Sequence, residues 1–404
     1  EWSVVDIRFD DRNKLLGFTL RNEASEESTT YGEEGGEYFL FTIDVSDGTF
    51  ALPTAGYSTG GTQNVPYDWT ISVDGGAPVR YTGTGSASGN IPLSGLTSGT
   101  HTIKIEQYGV TDKEDNTYTW FRAFGFGNGT QFSRGEIAEL ISPLPEKGLC
   151  VSEGNAGNSY ASYLFYQCNG ALFKMGPAFT IPQSITSVGN NFCAYLFTQC
   201  NGAAFTMGAA FNLPQNVTGS VGNSFCQQMF HGCDSGVFTM NSAFNLPQKI
   251  TGVGNNFCIL MFRACAGGEF TMNSVFNLPQ DITTVGSGFG ISLFDVCSGG
   301  KFTMNSIYNL PQKLTNADAN FCNTMFQNCT GVAFKVNDTF KFPQLSGGQV
   351  NGTNVLNRTF YNVSNPQTRL AADIINGNET PTDDKDTFST AFSDYSSIDA
   401  NWRQ

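Results

Sequence analysis

The stretch FTMNSAFNLPQKITGVGNNFC, residues 238–258, decides the fold, because it returns almost letter for letter at 270–289 as FTMNSVFNLPQDITTVGSGF. A Pro-Gln pair recurs along the chain at a spacing of 32 or 33 residues, with its proline at Pro182, Pro214, Pro247, Pro279, Pro311 and Pro343. A fixed period of this length is typical of stacked units, since one unit cannot bury its apolar face alone. The sequence therefore predicts an array of stacked repeats.

Within one unit the spacing of the apolar residues changes. Residues around Phe238 and Met240 alternate as in a short strand, and Pro247 ends the loop that follows. Asn255 and Asn256 are good helix N-cap residues. Apolar residues after them fall at helical spacing on one face: Phe257, Cys258, Met261, Phe262 and Cys265. The pattern predicts a unit of strand, turn and short helix.

Three short motifs of the unit point to a known family. Units that read IT-x-VG-N-x-F, then MF-x-x-C-x-G, then an apolar strand ending in LP resemble the BspA-type leucine-rich repeats of bacterial surface proteins. This resemblance covers about residues 150–345, although the unit is longer than the family's usual ~23 residues and carries an NSAFN-like insertion. It implies a leucine-rich-repeat-like solenoid and a role in adhesion at the cell surface.

The segment before the repeats reads as strands. Residues 38–110 contain β-rich runs separated by Asp-Gly, Asp-Gly-Gly and Ser-Gly turns, with Trp69 near the centre. This predicts an antiparallel β-sandwich, and the segment resembles the immunoglobulin-like or PKD-like modules that precede BspA-type repeats, with VDGG where that family has Trp-Gly-Asp-Gly.

The predicted fold class is thus α+β, a β-sandwich followed by the solenoid. Its expected parts are an N-terminal extension (1–37), the sandwich (38–112), a junction with an N-terminal cap (113–149), the repeats (150–345), and a degenerate repeat with a C-terminal cap (346–404).

Charge is low and unevenly distributed. The net charge is −14, and only 14% of residues are charged. Residues 1–150 hold 21 acidic and 10 basic side chains, whereas residues 168–343 hold 6 and 7. Nucleic acid binding needs clustered Lys and Arg, so we expect no nucleic acid partner. No window approaches the ~20 apolar residues of a membrane span, and the start at Glu1 without Met leads us to expect a secreted, extracellular protein.

Chemistry-bearing residues are few. His101 and His231 are the only histidines, and His231 lies near Cys233 and Asp234, as in a Cys-His nucleophile. The other repeats place Thr198, Arg263, Asp295 and Gln327 in the slot of His231, so that slot tolerates any residue and is expected to face solvent. No carboxylate pair recurs between units, as a glycosidase would need. We therefore predict no catalytic residue, no metal site and no cofactor.

Eleven cysteines follow the repeat. Four pairs such as Cys258 and Cys265 are seven residues apart, which is ~10 Å along a helix, while a disulfide needs Cα atoms within ~7 Å. This spacing favours buried free thiols and leaves disulfides within a unit as the alternative.

Positions whose residue varies from unit to unit, while the repeated motif around them stays constant, are candidates for a binding surface. On the exposed helix side these are Thr198, Gln228, His231, Leu260, Arg263, Asp295 and Gln327. Neutral surface drift is the alternative for each. Together these features predict a non-enzymatic bacterial surface protein that binds a protein or cell-surface partner, as an adhesin, or self-associates as a subunit of a filament or sheath.

The alternative function is a secreted glycan-binding protein, which would need exposed aromatic rings flanked by amides. Tyr163, Tyr195 and Tyr361 suit that role, but Gln228, Leu260 and Ser292 interrupt their row.

Overall fold

The structure is a computed structural model of the 404-residue chain. It describes residues 2–9, 15–22, 28–31, 38–46, 48–54, 66–86, 89–107, 125, 133–145, 150, 152–203, 205–234, 238–265, 269–297, 301–329, 340, 349–351 and 359. The first three strands, β1 (Trp2–Phe9), β2 (Leu15–Asn22) and β3 (Ser28–Tyr31), form an antiparallel sheet in the order β1-β2-β3.

A six-stranded sheet follows, in the order β11-β10-β4-β9-β6-β7. Its strands are β4 (Tyr38–Val45), β6 (Pro66–Val73), β7 (Val79–Thr84), β9 (Gly99–Gln107), β10 (Ile137–Leu140) and β11 (Lys174–Met175). A two-stranded antiparallel sheet of β5 (Thr49–Pro53) and β8 (Asn90–Ser94) shares its core. Trp69 is fully buried, and the rings of Phe41 and Phe50 join the two sheets at 6.4 Å.

The Asp-Gly-Gly segment makes the hairpin between β6 and β7. Asp74 and Gly75 both have positive φ (50° and 69°), and the N–H of Gly76 donates to the carbonyl of Val73 at 2.8 Å. Two consecutive positive φ values define the turn whose twist matches paired strands, which is why Asp and Gly stand there.

In the repeats, short strands pair in parallel with their counterparts one unit away. They are β12 (Thr218–Val221), β13 (Lys249–Val253), β14 (Glu269–Thr271), β15 (Thr284–Val285), β16 (Lys301–Thr303), β17 (Asn316–Asp318) and β18 (Gln349–Asn351). Phe270 pairs with Phe302, and Val253 with Val285. Equal positions of successive units therefore lie one strand spacing apart, about 4.8 Å.

The segment predicted as a short helix is a run of overlapping turns, which we call the turn ladder: residues 159–168, 191–200, 224–233, 256–265, 288–297 and 320–329. In one ladder, Cys258, Leu260 and Ala264 have φ of 53°, 57° and 57°. The N–H of Met261 closes a turn on the carbonyl of Cys258 at 3.3 Å, whereas the N–H of Leu260 donates to Ile291 in the next unit at 2.9 Å. Alternate N–H groups thus bond within and between units.

The predicted α+β class, with its solenoid of strand, turn and short helix, is therefore wrong. Apart from one 3₁₀ turn at Arg134–Glu136, the described residues contain no helix. The sequence Phe-Cys-x-x-Met-Phe-x-x-Cys repeats every four residues, close enough to 3.6 to imitate a helix face. A helix this short is marginal by itself, whereas the turn ladder also satisfies backbone groups through the neighbouring unit.

Aromatic rings fill the interior in columns. One column has centroid spacings of 5.4 to 5.6 Å and ring planes within 13° of parallel, and consists of Phe165, Phe197, Phe230, Phe262, Phe294 and Phe326. A second column meets it edge-on, as Phe276 meets Phe262 at 5.7 Å and 83°. Stacked and edge-on rings are both favourable geometries, so each unit buries its phenylalanines against the next.

The near-identical NSAFNLPQ segment is explained by hydrogen bonds between units. The side-chain amide of Asn273 donates to the carbonyls of Asn241 and Phe244 in the preceding unit, at 2.5 and 2.8 Å. Its oxygen accepts the N–H groups of Val275 and Phe276 in its own unit, at 3.0 and 2.7 Å. One buried side chain thus satisfies four backbone groups, which explains the Asn at this position in three successive units, Asn241, Asn273 and Asn305.

The glycine of the Val-Gly-Asn corner is required by a close approach. A Cβ at Gly254 would lie 2.4 Å from Oδ1 and 2.8 Å from the backbone N of Asn223 in the preceding unit. That Oδ1 accepts the N–H of Asn255 at 2.8 Å, and this contact recurs along the stack, so the glycine lets the asparagine ladder form.

The sheet region and the repeats share one core. Strand β10 pairs antiparallel with β4 and parallel with β11 of the first repeat unit. The rings of Phe39 and Phe165 lie 5.9 Å apart across this junction, and the N–H of Gly176 donates to Leu140 at 2.8 Å. The first unit therefore stacks on the edge of the sheet.

Candidate functional site

The outer side of the turn ladder carries the residues predicted to vary. Thr198, His231, Arg263 and Asp295 occupy one slot in four successive units. The structure brings the last three together: Arg263 Nε donates to Asp295 Oδ2 at 2.9 Å, and Arg263 Nη1 lies 3.3 Å from His231 Nε2. A column of charged and polar groups thus spans three units of an otherwise nearly neutral array.

The geometry of this column sets the protonation of His231. Arginine only donates hydrogen bonds, so Nε2 of His231 accepts from Arg263 and the neutral ring carries its proton on Nδ1. That Nδ1 is buried and has no hydrogen-bond partner among the described residues. Burial lowers the pKa of His231, and the Arg263 guanidinium lowers it further, against a smaller opposing effect of Asp234. The one acceptor nitrogen of the neutral ring thus already binds Arg263, so His231 is not free to take a proton from a nucleophile.

The pKa of the Asp295 carboxyl group is shifted upwards, whereas that of His231 is shifted downwards. Burial raises the pKa of its carboxyl group, although the ion pair with Arg263 and the amide of Asn328 oppose that rise. Its side chain is only 9% exposed, whereas that of Arg263 is 39% exposed. The column therefore presents the guanidinium to solvent and keeps the carboxylate beneath it.

The expectation that this slot faces solvent is wrong for two of its members. Thr198 is 2% exposed and its hydroxyl donates to the carbonyl of Gln228, while Asp295 is 6% exposed. The neighbouring unit covers these short side chains, and only longer ones such as Arg263 reach past it. Gln228, Leu260 and Gln327 are half-buried on the same ladder face.

Sequence reasoning named Tyr163 and Tyr195 but missed the second group to which they belong on this face, at the end nearest the sheet. We call it the tyrosine patch: Tyr163, Tyr166, Tyr195, Gln167, Gln199 and Gln227. The Tyr163 and Tyr195 rings stack at 4.3 Å and 14°, and the Tyr166 ring lies 5.5 Å from Tyr163. The signal was a gathering of Tyr and Gln in the first three units, which is visible only when the turn-ladder slots are aligned together.

Amide groups link the rings of this patch. Gln167 Nε2 donates to Gln199 Oε1 at 2.6 Å, and Gln227 Nε2 donates to the Tyr195 hydroxyl at 3.0 Å. The guanidinium of Arg134, from the 3₁₀ turn, donates to Gln167 Oε1 and lies over the Tyr166 ring at 5.5 Å. The rings are held in fixed positions by these contacts.

All eleven cysteines are buried and free, so no disulfide joins any pair left open by the sequence. In the column that includes Cys265 and Cys297, each thiol donates to a phenylalanine carbonyl of the preceding unit, as Cys265 does to Phe230 at 3.2 Å and Cys297 to Phe262 at 3.1 Å. Burial raises the pKa of both thiols. Thiols in this environment behave as small core residues.

Two further findings concern the described part of the chain. Within it, no group of three or more His, Cys, Asp or Glu side chains is placed to hold a metal ion. No helix there is both long enough and apolar enough to cross a bilayer.

Comparison with known proteins gave no match: no protein family, no curated protein and no solved structure is detectably similar to this chain.

Proposed function

We propose that this chain is a non-enzymatic extracellular protein of a bacterial surface, which uses its stacked repeats for adhesion or as a structural subunit of a filament or sheath. The observation that carries the proposal is the division of each unit into constant and variable parts. Corners such as the one at Asn273 are fixed by hydrogen bonds between units, while the outer side chains of the turn ladder vary from unit to unit. Such an array is a rigid support for changeable surface residues.

The resemblance to BspA-type repeats supports the same proposal through the shared IT-x-VG-N-x-F and MF-x-x-C-x-G motifs. Likeness of this kind is an associational argument for a specific partner. We therefore propose a protein or cell-surface partner without naming one, no nucleic acid partner, and no cofactor.

Binding of the purified full chain to whole cells, measured by flow cytometry, tests the adhesive function. We expect saturable binding that falls when Gln228, Leu260 and Gln327 are together replaced by Ala. A control variant with Thr206, Thr239 and Thr271 replaced by Ala changes exposed residues outside the turn ladder instead and should bind as the parent does. Hydrolysis of a polysaccharide by the purified protein, abolished by one Asp substitution, would contradict the proposal.

The structural role is tested separately by light scattering and electron microscopy at rising protein concentration. Fibres or sheets support a filament or sheath subunit, whereas a monomer at all concentrations restricts the proposal to adhesion.

The second candidate is a secreted glycan-binding protein. The observation that favours it is the tyrosine patch, where stacked rings and amides meet on one face. Sequence alone gave a broken row, because Gln228 and Leu260 follow Tyr195 in its slot; the structure joins Tyr166, from another slot, to the same group.

A further inference from the structure

The tyrosine patch combines two kinds of contact on one surface. Tyr166 and Tyr195 are half-buried, so part of each ring is open to solvent, while Tyr163 is buried beneath them. The Tyr163 ring stacks on Tyr195 at 4.3 Å and fixes its orientation. Tyrosine offers an apolar body with a polar tip, which suits ligands that are apolar on one side and hydroxylated at their rim.

The side-chain amides of the patch form a series of hydrogen bonds that runs in one direction. Gln167 donates to Gln199 Oε1, and it accepts in turn from Arg134, so this series of hydrogen bonds ends at the exposed Gln199. Gln199 Nε2 makes no hydrogen bond to another described residue, and it therefore points two donors towards solvent. Donation from Gln227 to the Tyr195 hydroxyl at 3.0 Å polarises that hydroxyl as a donor.

The charge of the surroundings is low. Between the junction and Asp234, the described residues of the first three repeat units carry the charged side chains Glu153 and Lys174, and neither belongs to a turn ladder. Among the described residues, Arg134 is the one guanidinium that touches the patch, and its contacts there are with Gln167 and the Tyr166 ring. The patch thus recognises by rings and amides instead of by net charge.

We propose that this surface binds an uncharged carbohydrate chain, with sugar C–H groups against the exposed parts of Tyr166 and Tyr195 and sugar hydroxyls bonded to the Gln199 amide. The proposal rests on the proposed adhesive function and names its ligand class. Because the rings and amides are already held by Tyr163, Gln167 and Arg134, little side-chain freedom is lost on binding. A chain of sugars fits better than one residue, since the patch extends over three units, or about 10 Å along the stack.

The test uses the full chain on an array of uncharged and charged glycans, followed by calorimetry with the best soluble oligosaccharide. Gln199→Ala removes the exposed amide, and Ala is tolerated there because Ala264 occupies the same slot at nearly the same φ, 57° against 58°. Tyr166→Thr removes one ring and places the residue that the next unit has in this slot, Thr198. Asn323→Ala is the matched control, because Asn323 occupies the slot of Gln227 three units further along the stack, where the second unit has Ala194.

We expect uncharged glycans to bind, each patch variant to weaken binding about tenfold, and Asn323→Ala to leave it unchanged. Circular dichroism of each variant should match that of the parent. The proposal is overturned if no glycan binds, if only charged glycans bind, or if Asn323→Ala weakens binding as much as the patch variants.

Cell binding separates this inference from the proposed function. If the parent binds cells and the Gln199→Ala and Tyr166→Thr variants bind them equally well, the adhesive function stands and the carbohydrate site does not. If the parent binds no cells and also forms no polymers, the proposed function itself fails.

Discussion

Replacing Ala264 with Gly distinguishes the turn ladder from a helix by the sign of the stability change. Ala264 has φ of 57°, and Gly232 occupies the same slot one unit earlier at φ of 70°. An L-residue in this left-handed region costs about 1–2 kcal/mol, a cost that glycine avoids. Glycine also loses more chain entropy on folding, roughly 0.5–1 kcal/mol. We therefore expect Ala264→Gly to stabilise the protein by about 0.5–1 kcal/mol.

In a helix the same substitution would destabilise by about 0.8–1.0 kcal/mol, so the effects expected for the two structures differ by about 1.3–2 kcal/mol. Urea unfolding followed by tryptophan fluorescence and circular dichroism measures this difference. Ala243→Gly is the matched control, because Ala243 is exposed and its φ is not positive; it should destabilise by about 0.5–1 kcal/mol. A loss of stability in Ala264→Gly equal to that of the control would refute the turn ladder at this position.

Three other outcomes are expected. Asn273→Ala should destabilise the protein by ~3 kcal/mol in urea unfolding, because it leaves buried backbone groups of two units without partners. An unchanged midpoint of the urea transition would contradict the hydrogen bonds assigned to Asn273. Burial lowers the pKa of His101, but hydrogen bonds to Asp74 and the carbonyl of Thr97 raise it overall. The parent should therefore be more stable than His101→Gln below about pH 6.5, and this difference should be lost as the pH rises through the folded pKa. A difference in stability that grows with pH would contradict this prediction. All eleven thiols should resist a maleimide in the native protein and react after unfolding, by mass spectrometry; labelling of native protein would mean that they are accessible.

The register of the repeats could be predicted from sequence, because the same side chains return at 32 or 33 residues. Phe270 and Phe302 are one period apart and pair directly in parallel strands. The near-identity of the corner was also informative, since Asn273 has to satisfy four backbone groups.

The backbone of the turn ladder could not be predicted in the same way. Cys258 and Leu260 adopt positive φ, a conformation that residue propensities assign to Gly or Asn. The hydrogen bonds to a neighbouring unit stabilise this conformation. Asparagines such as Asn255 and Asn256 at the start of a ladder looked like helix caps because the same residue type suits both roles. The local sequence pattern carries no information about hydrogen bonds to the neighbouring unit, so the helix prediction was wrong.

The candidate site was predicted only in part for a related reason. The slot holding His231, Arg263 and Asp295 was identified as variable, but its contacts depend on side-chain length relative to the next unit. The tyrosine patch joins different slots of three units, and the Tyr163 ring contacts both Tyr166 and Tyr195. Such a group has no signature in one unit.

Distances between spin labels at equal positions of different units test the central claim most directly, namely that successive units stack at strand spacing. Labels at the exposed positions Ala210, Ala243, Val275 and Ile307 can be attached through introduced cysteines, since the native thiols are buried. Electron paramagnetic resonance should give distances that grow in steps of about 4.8 Å per unit, to ~14 Å between the first and last of these positions. Distances that do not grow in proportion to the number of units would contradict the stack.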